Sequence, residues 1–170
     1  MTALALAGNE APAAPPLAIR SPRVLVIGYG NPGRQDDGLG PAAATEIERL
    51  GWPNVTTSDN YQLVIEDAVD IAEHDVVWFV DAARDGGEPY ELRRLSPTVD
   101  VAFTSHLVTP GTLLAIAGQY YGKSPEAYLL GVRGYEFEFL EGLTDRARSN
   151  LAAALALIRD RIGTLLEASR

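Results

Sequence analysis

From Arg23 onward the chain alternates between two hydrophobic rhythms. Continuous apolar runs rich in β-branched residues occur at VLVIG (24 to 28) and VVWFVDAA (76 to 83). A run that is apolar on both alternating faces suits a strand covered from both sides, so these two are predicted as central strands of a parallel sheet. Shorter strand candidates are NVTTS (54 to 58), YELRRL (90 to 95) and AYLLGVRG (127 to 134). YELRRL mixes polar with apolar positions, which predicts an edge strand.

Between these runs the period lengthens to that of a helix. A first helix is predicted from Pro41, a residue preorganised for the first helical position. It sets Ala43, Ile47 and Leu50 on one face before Gly51 stops it. A second is predicted from Asp59 or Asn60, with Val64, Ala68 and Ile71 inward and Glu66, Asp67, Asp70 and Glu73 forming a solvated acidic face. A third has Thr109 as N-cap and Pro110 at its first position, with Leu113, Ala117 and Tyr120 inward. The last runs from Thr144 and carries Leu151, Leu155, Ile158, Ile162 and Leu165 as a long apolar stripe. Strands alternating with helices predict an α/β fold: a three-layer α/β/α sandwich on a mostly parallel sheet of about five strands, one domain over residues 23–170. Residues 1–22 are rich in Ala and Pro and lack the basic start and apolar run of a secretory signal. They are expected to form a disordered arm.

Composition narrows the partners. The chain has 170 residues, 46% of them hydrophobic, enough to bury one full core without covalent staples. It has no Cys, which removes disulfides, a thiolate nucleophile and thiolate-bound metals. A net charge of −9 argues against nucleic acid or an anionic membrane surface as partner. No run approaches the length of a membrane span. A cytoplasmic monomer is expected.

The chemistry concentrates after the first strand, in GYGNPGRQDDGLG (28 to 40). Gly28, Gly30 and Gly33 have dinucleotide-turn spacing, yet the predicted helix opens only at Pro41, and Asp36 and Asp37 stand where a pyrophosphate would sit. At about 4 Å and an effective dielectric near 20, each like-charge contact costs about 4 kcal/mol, which opposes a phosphate at that turn. Gly28 and Gly30 suit a sharp turn off the strand, and Gly38 and Gly40 would supply permissive φ around the acids. The acids themselves suit either helix capping or a ligand site at the carboxyl rim of the sheet.

Two further residues point to that rim. Asp81 closes the second central strand, where it suits either turn amides or a ligand. Of two histidines, His74 ends the acidic helix beside Asp75 and suits a helix C-terminus. His106 stands in a loop ahead of the third helix. Asp37, Asp81 and His106 converging from three loops would make a site of two oxygen donors and one nitrogen, suited to Ni²⁺, Zn²⁺ or Mn²⁺. There is no H-E-x-x-H, no G-x-S-x-G and no P-loop.

The pattern G-x-G-N-x-x-x-x-D-D-G-x-G, carried by Gly28, Gly30, Asn31, Asp36, Asp37, Gly38 and Gly40, resembles the opening motif of the NiFe-hydrogenase maturation endopeptidases. The likeness runs from residue 23 to about 165 and takes in VVWFVDA, SHLVTPGTLLAIA and GVRGYEFEFLEGLT. It implies an α/β/α sandwich and an endopeptidase that removes the C-terminal extension of a hydrogenase large-subunit precursor after nickel insertion. It also implies that Asp37, Asp81 and His106 bind the metal and carry the site. Nickel would arrive with the substrate, with zinc or cadmium as surrogates. Asp36 would then serve as a supporting acid, as a base on water, or as a cap. Many members carry a D-G-G-T-like turn after the second strand, where this chain has DNYQ (59 to 62). Two other functions suit the same rim: a nucleotide- or flavin-binding module without hydrolytic activity, and a hydrolase of small substrates with a resident metal.

Overall fold

The computed structural model describes residues 20–98 and 108–168. Among these described residues five strands form one sheet in the order β2-β1-β3-β5-β4. The strands are β1 (Val24–Tyr29), β2 (Val55–Asn60), β3 (Val76–Ala83), β4 (Tyr90–Leu95) and β5 (Glu126–Arg133). β1 pairs in parallel with β2 and β3, β3 pairs in parallel with β5, and β4 runs antiparallel along β5 at the edge. The two continuous apolar runs are therefore the central strands, and the mixed run YELRRL is an edge.

Among the described residues four α-helices cover the sheet: α1 (Leu39–Glu48), α2 (Asp67–Glu73), α3 (Pro110–Tyr121) and α4 (Asp145–Glu167). The alternation of side chains along each strand splits the core in two. Val24, Val26, Trp78 and Val80 face α1 and α4, whose Ile47, Ile158 and Ile162 are fully covered. Leu25, Ile27, Val77 and Phe79 face α2 and α3 through Ile71, Leu113 and Ala117. The three-layer sandwich is thus built by the sheet's own pleat.

Thr109 and Thr144 cap α3 and α4, their side chains accepting hydrogen bonds from the amides of Thr112 and Ala147. Other expectations are corrected. The helix after the glycine turn begins at Leu39, preceded by a 3-10 turn over Gln35–Gly38, because Leu39 itself is a core residue. Gly38 and Gly40 do not need permissive φ. Gly40 is there for close approach: a Cβ would come within 2.3 Å of the Tyr29 carbonyl oxygen and 2.5 Å of that of Val80. Gly28 meets Gly40 in turn: a Cβ on Gly28 would come within 1.9 Å of the Gly40 carbonyl oxygen. α1 therefore lies directly on the ends of β1 and β3. Gly30 alone among the turn's first glycines takes a positive φ, 138°.

The second helix is shorter than its pattern suggests. β2 extends to Asn60 and α2 opens at Asp67. Asp67 is buried rather than solvated, because its carboxylate accepts hydrogen bonds from the Val64 amide at 2.8 Å and from Asn60 Nδ2 at 3.0 Å. It reaches back over the first turn, as the acid of a capping box does. Val64 is exposed as a result, and Tyr120, expected inward, is exposed at the end of α3. Among the described residues no helix is long and apolar enough to cross a membrane.

Candidate functional site

At the carboxyl rim of the sheet, β1 stops earlier than its neighbour. The pairing of β1 with β3 ends at Gly28 opposite Val80, and Asp81 is the first residue of β3 beyond it. Asp81 therefore sits beside Tyr29, the last residue of β1. The Ala82 amide donates to Asp81 Oδ1 at 2.8 Å, and the Tyr29 phenol lines the same cavity next to that carboxylate. Burial pushes the Asp81 carboxyl up to about 6, against the opposing pull of the Ala82 amide and the Tyr29 phenol, and the charge of nearby Asp37 adds to the rise. Burial, followed by the charge of Asp81 and the hydrogen bond to it, keeps the Tyr29 phenol protonated well above the ordinary tyrosine range.

Asp37 comes from the 3-10 turn. Its Oδ2 accepts a hydrogen bond from the Asn31 amide at 3.0 Å, which ties it to the end of β1. Gly30 permits this closure, since a Cβ there would come within 2.0 Å of the Asp37 carbonyl oxygen. Asp37 and Asp81 line one cavity of 210 Å³, together with Tyr29, Tyr61, Leu63 and Val108. Asn31 Nδ2 donates to the Tyr61 hydroxyl at 2.7 Å, holding that exposed ring at the cavity's edge.

Two carboxylates facing one cavity, one of them carrying a raised affinity for a proton, favour a cation between them. That donor chemistry fits a divalent metal with oxygen ligands. Among the described residues no group of three His, Cys, Asp or Glu is placed to hold a metal. The proposed third ligand, His106, lies outside the described residues.

Asp36 faces elsewhere. It is fully buried, and its carboxylate accepts from the amides of Tyr135 (2.8 Å), Glu136 (3.2 Å) and Thr144 (2.7 Å) and from the Thr144 hydroxyl (2.9 Å). Burial raises its carboxyl, but these hydrogen bonds outweigh it and leave the group below the usual range. Its side chain does not cap α1, whose N-cap is Gly38. It is held instead by the segment leading into α4, with no place among the residues lining the cavity. His74 is similarly occupied, Nδ1 lying 2.6 Å from the Asp70 carbonyl oxygen and Nε2 3.1 Å from Thr56 Oγ1.

The glycine turn offers a phosphate few donors. The amides of Gly30, Arg34, Gln35, Asp36 and Asp37 are bound to backbone carbonyls, and those of Asn31 and Gly33 to the side chains of Asp37 and Asn31. Arg34 donates to the Phe137 carbonyl and lies over the Phe139 ring. Tyr29 and Tyr61 are site residues that hydrophobic pattern did not single out. The available signal was position, since Tyr29 ends β1 and Tyr61 directly follows β2, both at the rim.

No protein-family profile and no curated protein matches the sequence. Solved structures do match. A NiFe hydrogenase maturation protease, HycI, from Thermococcus kodakarensis superposes with a TM-score of 0.64 at 24% identity, covering 83% of this chain and 92% of its own. The hydrogenase-maturating endopeptidase HybD from E. coli gives 0.66 at 22% identity, over 84% and 93%. A hydrogenase 2 maturation peptidase from a Thaumarchaeota archaeon gives 0.61 at 23%, over 83% and 98%. At these identities the likeness establishes a shared fold spanning nearly the whole of each partner.

Proposed function

We propose that this chain is an endopeptidase of the hydrogenase maturation type, cleaving the C-terminal extension from a NiFe-hydrogenase large-subunit precursor that already carries nickel. The observation that supports it most is the placement of Asp37 and Asp81. They come from different segments, line one rim cavity and share it with an apolar wall, in a fold common to proteins named as maturation proteases.

In this reading the nickel belongs to the substrate. Asp37 and Asp81 bind it, with His106 as the nitrogen ligand, and Val108, two residues after His106, lines the same cavity. The metal supplies Lewis-acid polarisation of the scissile carbonyl or of an attacking water. The protein's part is to dock: the Asn31 amide fixes Asp37, Tyr29 and Ala82 fix Asp81, and Leu63 and Val108 offer apolar contact to the peptide beside the metal. Asp36 keeps the loop before α4 against the glycine turn. A precursor without nickel lacks the docking ion and would not be cut.

The test is incubation of the protein with precursor large subunit, with and without nickel, followed by mass. Loss of the C-terminal extension only from nickel-loaded precursor is expected. Cleavage that ignores nickel would remove the docking logic, and tight FMN or NADH binding without cleavage would replace the endopeptidase with a nucleotide module. The latter is disfavoured by the internally bonded amides of the glycine turn.

A further inference from the structure

We propose that Tyr29 is the positioning residue for Asp81, so that the end of β1 orients both site carboxylates as one unit; this rests on the metal-docking reading above. Residues 29 to 31 contact both acids. The Tyr29 phenol, which follows the last β1–β3 pair just as Asp81 does and lines the same cavity, is placed to donate to Asp81, and two residues later the Asn31 amide donates to Asp37 Oδ2. Asp81 has one other donor among the described residues, the Ala82 amide on Oδ1. That donor is the next residue of the same strand and by itself leaves the carboxylate free to turn about χ2.

Such a carboxylate, half-buried beside a second negative charge, is driven away from its neighbour and toward water. The phenol opposes this by holding Asp81 at the cavity. Tyr29 is suited to the task by its place. Its ring packs on the core layer beneath α2 and α3, while its hydroxyl end lines the cavity with both acids. A phenylalanine would keep the packing and lose the donor. Partners that orient a ligating group from behind govern metal affinity, commonly by about 10- to 100-fold.

Tyr29→Phe in the full chain tests this with two readouts. Calorimetry with Ni²⁺ alone should show affinity weakened about tenfold, and processing of nickel-loaded precursor should show KM raised to a similar degree with kcat within about threefold of wild type. Melting temperature should stay close to wild type. Unchanged Ni²⁺ affinity and KM would overturn the assignment. So would a fall in kcat alone accompanied by a lowered melting temperature, because Tyr29 would then merely support the fold. Asp81→Asn measured in parallel separates the two levels of inference. If it abolishes metal binding and processing while Tyr29→Phe matches wild type, only the role of Tyr29 fails. If Asp81→Asn binds Ni²⁺ and processes normally, the metal-docking reading fails, and the role of Tyr29 with it.

Discussion

Asp36 and Thr144, 108 residues apart in sequence, are joined by two hydrogen bonds, one from the Thr144 amide at 2.7 Å and one from its hydroxyl at 2.9 Å. Thr144 is also the N-cap of α4. One buried carboxylate thus links the turn that presents Asp37 to the start of the longest helix, and it gathers the Tyr135 and Glu136 amides on the way.

Removing that carboxylate leaves three part-buried amides and a hydroxyl without their acceptor. Asp36→Ala is expected to cost about 3–5 kcal/mol, because each buried donor left without an acceptor costs about 1–3 kcal/mol and some will find water. At about 2–4 °C per kcal/mol, the melting temperature should fall by roughly 10 °C or more. The folded-state carboxyl is depressed, so its contribution is present above its unfolded pKa and is lost as pH falls through the folded value. The gap between wild type and variant should therefore close in strong acid. Thermal melts from pH 7 to pH 2 check both points, and a melting temperature unchanged at pH 7 would show that the link carries no stability.

Asp81 should behave in the opposite sense. Its carboxyl is raised from 3.8 to about 6, so the protonated form is favoured by folding, and that stability is full below about pH 4 and lost as pH rises through 6. Asp81→Asn keeps an acceptor for the Ala82 amide and removes the buried charge. A shift of this size corresponds to roughly 2–3 kcal/mol. The variant should thus melt higher than wild type at pH 7.5, by roughly 5–10 °C, and at the same temperature near pH 3.5. Its processing activity should be lost. A gain in stability paired with a loss of activity is the mark of a charge kept for function, and a variant less stable at pH 7.5 would mean that Asp81 is needed by the fold.

The layers were legible because burial imposes periodicity. VLVIG and VVWFVDAA could only be strands covered on both faces, and Thr109-Pro110 and Thr144 announced helix starts whose capping bonds are present. The α2 region was not legible, for the opposite reason. Its acids resemble a solvated face, but Asp67 is bound by Asn60 and Val64, and a partner seven residues away on a strand end leaves no periodic trace. The same holds for the paired acids 36 and 37. Adjacent in sequence, they separate completely in space, Asp36 into the α4 junction and Asp37 into the cavity. Only the 3-10 turn, which sequence period did not reveal, divides their roles. Asp81 was legible as a rim residue, whereas its contact with Tyr29 depends on where the β1 ladder stops.

The two histidines give the sharpest comparison. His74 is spent locally: both ring nitrogens have partners, the Asp70 carbonyl oxygen and the Thr56 hydroxyl, which fasten the end of α2 to β2. His74→Ala should cost about 1 kcal/mol, the usual net value of such hydrogen bonds, and should leave metal binding and processing at wild-type levels. His106 is proposed as the only nitrogen ligand beside Asp37 and Asp81. An imidazole must be neutral to bind metal, and Asp81 must be ionised, so Ni²⁺ affinity should rise steeply as pH increases from 5 through about 6 to 7, with proton release. His106→Ala should leave weak, carboxylate-only binding with a shallower pH dependence and should abolish processing. Calorimetry of Ni²⁺ binding at several pH values, on wild type and both variants, decides the matter. Equal affinity in wild type and His106→Ala would take His106 out of the site. Loss of binding in His74→Ala instead would move the metal to the far end of α2, away from the cavity where Asp37 and Asp81 meet.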